Sequence, residues 1–262
     1  MERVIPLEGG VNFRDLGGYE TADGRRVRWR TLFRSGVMSY LTERDEELVR
    51  SFGIRVVCDL RTRQERDRET VRWPGSDVIR LHWDYDPSNI VLQEHNSPPL
   101  LSAEDARRAI LAFFRKLPFR FEQQYRALFG SLAAGEVPLV FGCSAGKDRT
   151  GLAAALLLTF LGVKPKQVDA DFTLTNEVVD LERCLTEKPE GRLGIGEDQR
   201  YLLELQPHVR APLLRASPEY LHAAFDQIRT DCGSMEAYMQ ARLGVGSDAR
   251  EQLCAHLLEE SA

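Results

Sequence analysis

Residues 138–161 constrain this chain more than any other part of it. PLVF at 138–141 is short, apolar and suited to a buried strand. It runs into a polar turn, GCSAGKDRTG at 142–151, and then into LAAALLLTFL at 152–161. A helix this apolar around its circumference must be covered on all sides. The apolar stretch 152–163 is nevertheless too short to cross a bilayer. The requirement is met by a sheet with helices on its faces, with the polar turn at the carboxyl end of a strand, where such sheets bind ligands.

The rest of the chain reads consistently with that requirement. Residues 31–35, the β-branched run IRVVCDL at 54–60, and 78–82 are strand candidates. Thr42 and Asp45 form a capping box for a helix that Gly53 closes. Ser102 and Asp105 open a helix reaching about residue 117, and 119–134 is helical again. Beyond Pro165 the pattern is all helical, clearest at 218–230, 234–243 and 247–259, with Ser234 and Ser247 as N-caps and Gly244 as a stop. The fold class is therefore α/β, a mostly parallel central sheet flanked by helices, with a helical C-terminal half. No Ser/Gly-rich linker divides the chain, so residues 1–262 read as a single domain.

Composition narrows the function. Lys and Arg number 35 against 40 Asp and Glu, a formal charge of -5. That balance argues against nucleic acid or an anionic membrane as partner. The 5 cysteines are scattered without a CxxC pair, and the 5 histidines have no metal spacing. A disulfide framework, a metal site and a cofactor are not expected. The opening MERVIPLEGG lacks the apolar core of a signal peptide, so a cytoplasmic, reducing location is expected.

The chemistry lies in CSAGKDRTG at 143–151. Backbone amides in a tight loop before a helix point inward and add to the positive end of the helix dipole, forming an anion cradle. Cys143 sits at its base, where that field favours a thiolate. Arg149, on the opposite rim, can hold two phosphate oxygens with its planar fork. Ser144, Ala145, Gly146, Lys147 and Gly151 complete the cradle, and the Thr150 hydroxyl can donate to the thiolate. These parts describe phosphoryl transfer through a cysteinyl-phosphate. A Walker A loop fails on the letters: Phe141 stands where the first Gly belongs, and Asp148 follows Lys147. A sulfurtransferase loop is one residue tighter. The plain alternative is a buried Cys with a chance Arg nearby.

A general acid is harder to find. The window 109–122 has no Asp, and its Glu122 lies in a helical pattern; Trp73-Pro74-Gly75 places Gly where an acid is needed. Asp148 is the carboxylate inside the cradle and is assigned as acid and base, with Asp59 and Asp84 as fallbacks. The competing role for Asp148 is a structural pair with Arg149 or Lys147.

CSAGKDRTG, with NFRDLGG at 12–18, LFRS at 32–35, Asp59-Leu-Arg61 with Glu65, GSMEAY at 233–238 and LGV at 243–245, resembles the bacterial atypical tyrosine/serine phosphatases. The resemblance covers nearly the whole chain. It implies a cysteine-phosphatase fold with four or five core strands and Cys143 as nucleophile. Arg149 would be the phosphate clamp, Lys147 a substrate-side charge, and Asp148 the acid. It also implies activity on phosphotyrosine, sometimes on phosphoserine/threonine or phosphoinositides, and a helical lid at 176–215. One departure stands out: the family has His before the nucleophile, and here it is Gly142. Its loss predicts a looser cradle or a thiolate formed at more alkaline pH, and a weaker enzyme.

Asp59 and Arg61 leave a strand end beside the loop, where they either touch substrate or pair with each other. Arg14 and Asp15 read as a buried ion pair tying the N-terminus to the sheet. Arg63, Arg66, Arg68 and Arg72 alternate with acids and read as a solvated helix face. Three functions remain in view: a phosphatase for protein phosphotyrosine, a phosphatase for phosphoinositides or small metabolites, and a weakly active phospho-ligand-binding module.

Overall fold

The structure is a computed structural model and describes residues 2–71, 73–74, 77–85, 99–186 and 201–260. Its centre is a five-stranded sheet. β1 (Arg14–Asp15) pairs antiparallel with β3 (Leu32–Ser35). From there β3, β6 (Leu139–Gly142), β4 (Val56–Asp59) and β5 (Ile79–His82) run parallel, in the order β1-β3-β6-β4-β5. The four strand candidates thus fall in one sheet. The strand that feeds the CSAGKDRTG loop lies between β3 and β4, so neighbours on both sides build its carboxyl end.

Alternation divides the strand residues between two faces. Leu32, Leu139, Phe141, Val56 and Cys58 join the larger core. Against that core pack α3 (Ala103–Arg120), α4 (Glu122–Ala133) and α5 (Asp148–Phe160). Phe33 and Val140 face the other way, into a smaller cluster with Phe13, Val49, Ile54 and Trp73. Val49 lies on α1 (Glu43–Ser51), whose N-terminus carries the complete Thr42–Asp45 capping box. α5 is buried all round, as its composition requires. Each fully buried Leu in it contributes about 1.5–3 kcal/mol. The short α2 (Arg63–Arg68) follows β4 and is opened by a second complete capping box, Thr62 with Glu65.

The C-terminal half holds α6 (Pro165–Thr173), α7 (Thr175–Val178), α8 (Leu181–Thr186), α9 (Tyr201–Glu204), α10 (Pro207–Leu214), α11 (Pro218–Cys232), α12 (Met235–Ala241) and α13 (Ser247–Leu257). The all-helical expectation fails at its end. Residues 258–260 form β7 (Leu258–Glu260), which pairs antiparallel with β2 (Arg25–Val27). Neither strand is long enough to show a period of its own, and only their pairing creates the ladder. Ser247 is also not an N-cap: Gly246 caps α13, and Ser247 is its first residue. Ser234 caps α12 as expected, accepting the amide of Ala237. Of the expected lid at 176–215, the middle, with Gly191, Gly194 and Gly196, lies outside the described residues. No described helix is long and apolar enough to cross a membrane.

Candidate active site

The loop after β6 turns at Gly146, whose φ of +68° and close approach to the Ser35 backbone leave no room for a side chain. Its carbonyls are bonded outward. Val37 N donates to Ser144 O at 2.8 Å. Asn12 Nδ2 donates to Ala145 O and Gly146 O, both at 3.1 Å, and Arg34 Nη2 to Gly146 O at 2.7 Å. With the carbonyls turned out, the amides of residues 144–149 meet no acceptor among the described residues. Lys147 caps α5 without a side-chain bond to its first turn, so that turn's amides also stay open. Cys143 is buried at the base of this arc. The arrangement is an anion cradle around a thiol.

Arg149 is held in a fixed pose. Its Nη1 and Nη2 donate to Glu65 Oε2 and Oε1 at 2.8 and 2.7 Å. Nη1 also reaches Leu60 O and Tyr85 Oη, each at 3.0 Å. Glu65 accepts further bonds from the Thr62 amide at 2.7 Å and the Ser144 hydroxyl at 2.5 Å. Burial pushes the Glu65 carboxyl up, but the Arg149 charge and these donors outweigh it and bring it down to about 2. Burial likewise opposes the Arg149 charge, and Glu65 more than offsets it, so the guanidinium stays firmly protonated. Tyr85, raised to about 12 chiefly by burial, donates to Leu60 O at 2.6 Å and packs edge-on against Phe121.

Beneath the loop lies a second buried cluster. Arg14 Nε donates to Asp171 Oδ1 at 3.2 Å, and Arg34 Nη1 donates to Asp171 Oδ2. Burial raises the Asp171 carboxyl, but the two guanidiniums hold it at about 2. Arg14 falls to about 10, from burial first and then from the charge of Arg34. Arg14 also donates to Asn12 Oδ1, which orients the amide that grips the loop. The expected Arg14–Asp15 pair is therefore replaced. Arg14 pairs with Asp171, while Asp15 accepts the Gly17 and Arg30 amides at 2.7 and 2.8 Å. Adjacent strand residues point to opposite faces, so neighbours in sequence cannot pair across the sheet.

The remaining residues fall as follows. Asp148 Oδ1 is buried without a hydrogen bond, 3.4 Å from Lys147 Nζ, and Arg149 is not its partner. Lys147 is 3% exposed and donates to Leu213 O of α10, so its charge is directed toward the helical half. The Thr150 hydroxyl is buried and makes no hydrogen bond among the described residues, with Cys143 or otherwise. Gly151 packs against the Phe172 ring. Asp59 and Arg61 pair with each other, Arg61 Nη2 to Asp59 Oδ2 at 2.7 Å, with Arg61 2% exposed. The fallback acid Asp84 pairs with Arg66 at 2.5 Å. A Cβ on Gly142 would stand 2.5 Å from Ser35 Oγ and 2.9 Å from Ser35 O. A side chain there would require Ser35 to shift.

Sequence reasoning passed over Asn12, Arg34, Glu65 and Asp171 as site residues. Asn12, Arg34 and Glu65 stand in the blocks that resemble the phosphatase family, and two of the four left a local signal as well. Thr62-x-x-Glu65 is a capping box in plain letters. Val168, Asp171 and Phe172 fall at helical spacing on one face of α6, all buried, which places a carboxylate where only a charge partner can stabilise it.

A family model described as "Tyrosine phosphatase family" matches residues 5–259. A protein of Cupriavidus necator, whose name marks it provisionally as a tyrosine-protein phosphatase, is 31% identical over 239 residues, covering 89% of this chain and 82% of that protein. The triple specificity protein phosphatase PtpB of Mycobacterium tuberculosis is 32% identical over 274 residues, covering 90% and 93%. A tyrosine-protein phosphatase of Nostoc commune is 25% identical over 150 residues, covering 54% and 47%.

Proposed function

The chain belongs to the tyrosine phosphatase family, and from that premise we propose that Cys143 is its nucleophile and that turnover runs through a cysteinyl-phosphate. Family membership makes it a protein-tyrosine phosphatase acting on phosphorylated substrates. The observation that carries the mechanism is the outward bonding of the carbonyls at 144–146, which leaves the facing amides open above Cys143. The Cys143 thiolate attacks phosphorus, forming the P–S bond as the P–O bond to the leaving group breaks. Asp148 gives its proton to the leaving oxygen. It then takes a proton from a water that attacks the thiophosphate, and the P–S electron pair returns to sulfur. The amides of 144–149 and the Arg149 fork bind the equatorial oxygens and stabilise the charge that builds there. Asp148 Oδ1 makes no hydrogen bond, which supports the acid role, while its ion pair with Lys147 Nζ at 3.4 Å favours the ionised form that acts as base in the second step.

Phosphotyrosine is the preferred substrate in this reading. The printed name of the Mycobacterium tuberculosis relative, with its triple specificity, favours testing phosphoserine/threonine and phosphoinositides as well. The direction of Lys147 toward Leu213 removes one basis for the phosphoinositide alternative. A module that only binds phosphate has no chemical need for the Cys143 and Asp148 pair. One phosphatase domain over residues 1–262 accords with the β2–β7 ladder, which joins the two ends of the chain. A cytoplasmic location accords with cysteines that are scattered along the chain without a CxxC pair.

The test is phosphate release by wild type and Cys143→Ser from a phosphotyrosine peptide, a phosphoserine peptide and a monophosphorylated phosphoinositide, with chelator present. Turnover that disappears in Cys143→Ser and ignores chelator supports the covalent route. Wild type that binds phosphate without turning over any of the three refutes it.

A further inference from the structure

On the sheet face opposite the large core, behind the phosphate loop, lies a cavity of about 250 Å³. Val57, Val140, Val71, Trp73 and Met38 supply apolar walls. Ser35, Gly142 and Cys143 line it too, and none of residues 144–149 does. It adjoins the cradle at Cys143 but takes in none of the loop amides, and Arg80, Leu81 and His82 of β5 line it as well. Gly142 contributes to it directly: with no side chain there, Ser35 Oγ and the bare backbone form the floor.

The charges around this space are unequal. Asp59 and Arg61 satisfy each other, and Arg66 is committed to Asp84 and to the Arg61 and Trp83 carbonyls. Asp67 lies 3.5 Å from Arg63. Arg80, exposed on β5 at the mouth, has no acidic partner among the described residues. A wall of valines and an indole selects an apolar body, and an uncommitted guanidinium selects an anion. With Asp59 and Asp67 each beside an arginine, Arg80 supplies one unmatched positive charge, which fits a single carboxylate better than a dianion such as a phosphate monoester. We propose that this cavity is a second ligand site, taking a compact apolar molecule that carries a single carboxylate, its body against Val57, Val140 and Trp73 and its charge toward Arg80.

Phenylacetate and its neutral counterpart phenylacetamide are suitable probes, titrated into the full chain and followed by methyl NMR at Val57, Val71 and Val140. Orthovanadate in one arm fills the phosphate loop. The expected result is saturable phenylacetate binding, with Kd of about 1 mM or tighter, unchanged by orthovanadate. Arg80→Gln should weaken phenylacetate about threefold to fivefold, the effect of an exposed ion pair, leave phenylacetamide unchanged, and leave basal turnover unchanged. Val71→Phe, which fills the space, should abolish both. The absence of saturable shifts up to about 10 mM, or shifts removed by orthovanadate, would overturn the site. Equal phenylacetate affinity in Arg80→Gln would overturn the assignment of the anion. The binding readout does not depend on detecting turnover, so its failure is separable from failure of the phosphatase mechanism.

Discussion

Replacing Glu65 by Gln tests the buried clamp on Arg149. Gln keeps the shape and can accept one bond, but removes the charge that faces the guanidinium at 2.7 and 2.8 Å. The Glu65 carboxyl lies at about 2 against an ordinary 4.5. A folded-state value below the unfolded one stabilises the native state above the unfolded value, and that contribution is lost as pH falls from 4.5 toward 2. The difference corresponds to about 3 kcal/mol at neutral pH, and to roughly half of that near pH 3. For a chain of this size about 3 kcal/mol lowers the midpoint of thermal unfolding by about 6–12 °C. The assay is thermal unfolding of wild type and Glu65→Gln at pH 7 and pH 3, followed by circular dichroism. The gap between the two proteins should narrow at the lower pH. In parallel, kcat/KM on a phosphotyrosine peptide should fall about a hundredfold, because a loosened Arg149 no longer meets the phosphoryl oxygens in a fixed pose. A gap of equal size at both pH values would refute the charge argument. An unchanged kcat/KM would refute the positioning role.

Three further outcomes follow from the same geometry. Asp148→Asn should slow formation of the cysteinyl-phosphate from alkyl phosphates about a hundredfold or more while leaving that step nearly intact for aryl phosphates with good leaving groups; equal loss on both classes in the pre-steady-state burst would reassign the acid. Asp171→Asn strands two buried guanidiniums, Arg14 and Arg34, and should cost about 3–5 kcal/mol in denaturant unfolding; a cost under about 1 kcal/mol would mean that other groups already balance the cluster. Gly142→His should not restore a better enzyme. Its Cβ meets the Ser35 hydroxyl at 2.5 Å and the Ser35 carbonyl at 2.9 Å, so the variant should lose about 1–3 kcal/mol in stability. Thiol alkylation against pH that moves to lower pH in a stable Gly142→His protein would contradict this.

The strand, the phosphate loop and α5 were legible from residues 138–161 alone, because an apolar run, a Gly-bearing polar turn and an all-apolar helix each follow from local pattern. The spacing of Cys143 and Arg149 pointed to the proposed chemistry for the same reason: six residues of tight loop limit which groups can converge on one anion. Glu65 was legible only as part of a block that resembles the phosphatase family, with no role of its own. That both its oxygens clamp Arg149, 84 positions away, depends on β4 and β6 lying side by side. Asp171 reaches Arg14 and Arg34 across 157 and 137 positions, and β2 finds β7 at the far end of the chain. The direction of Lys147, whose letter in the loop reads equally well as facing substrate, was settled by α10 bringing a carbonyl to its ammonium. Local sequence determines backbone conformation and the identity of the reacting groups, since both act over a few bonds. Compensation of buried charge acts through space, and the partners exist only once the sheet has brought distant segments together.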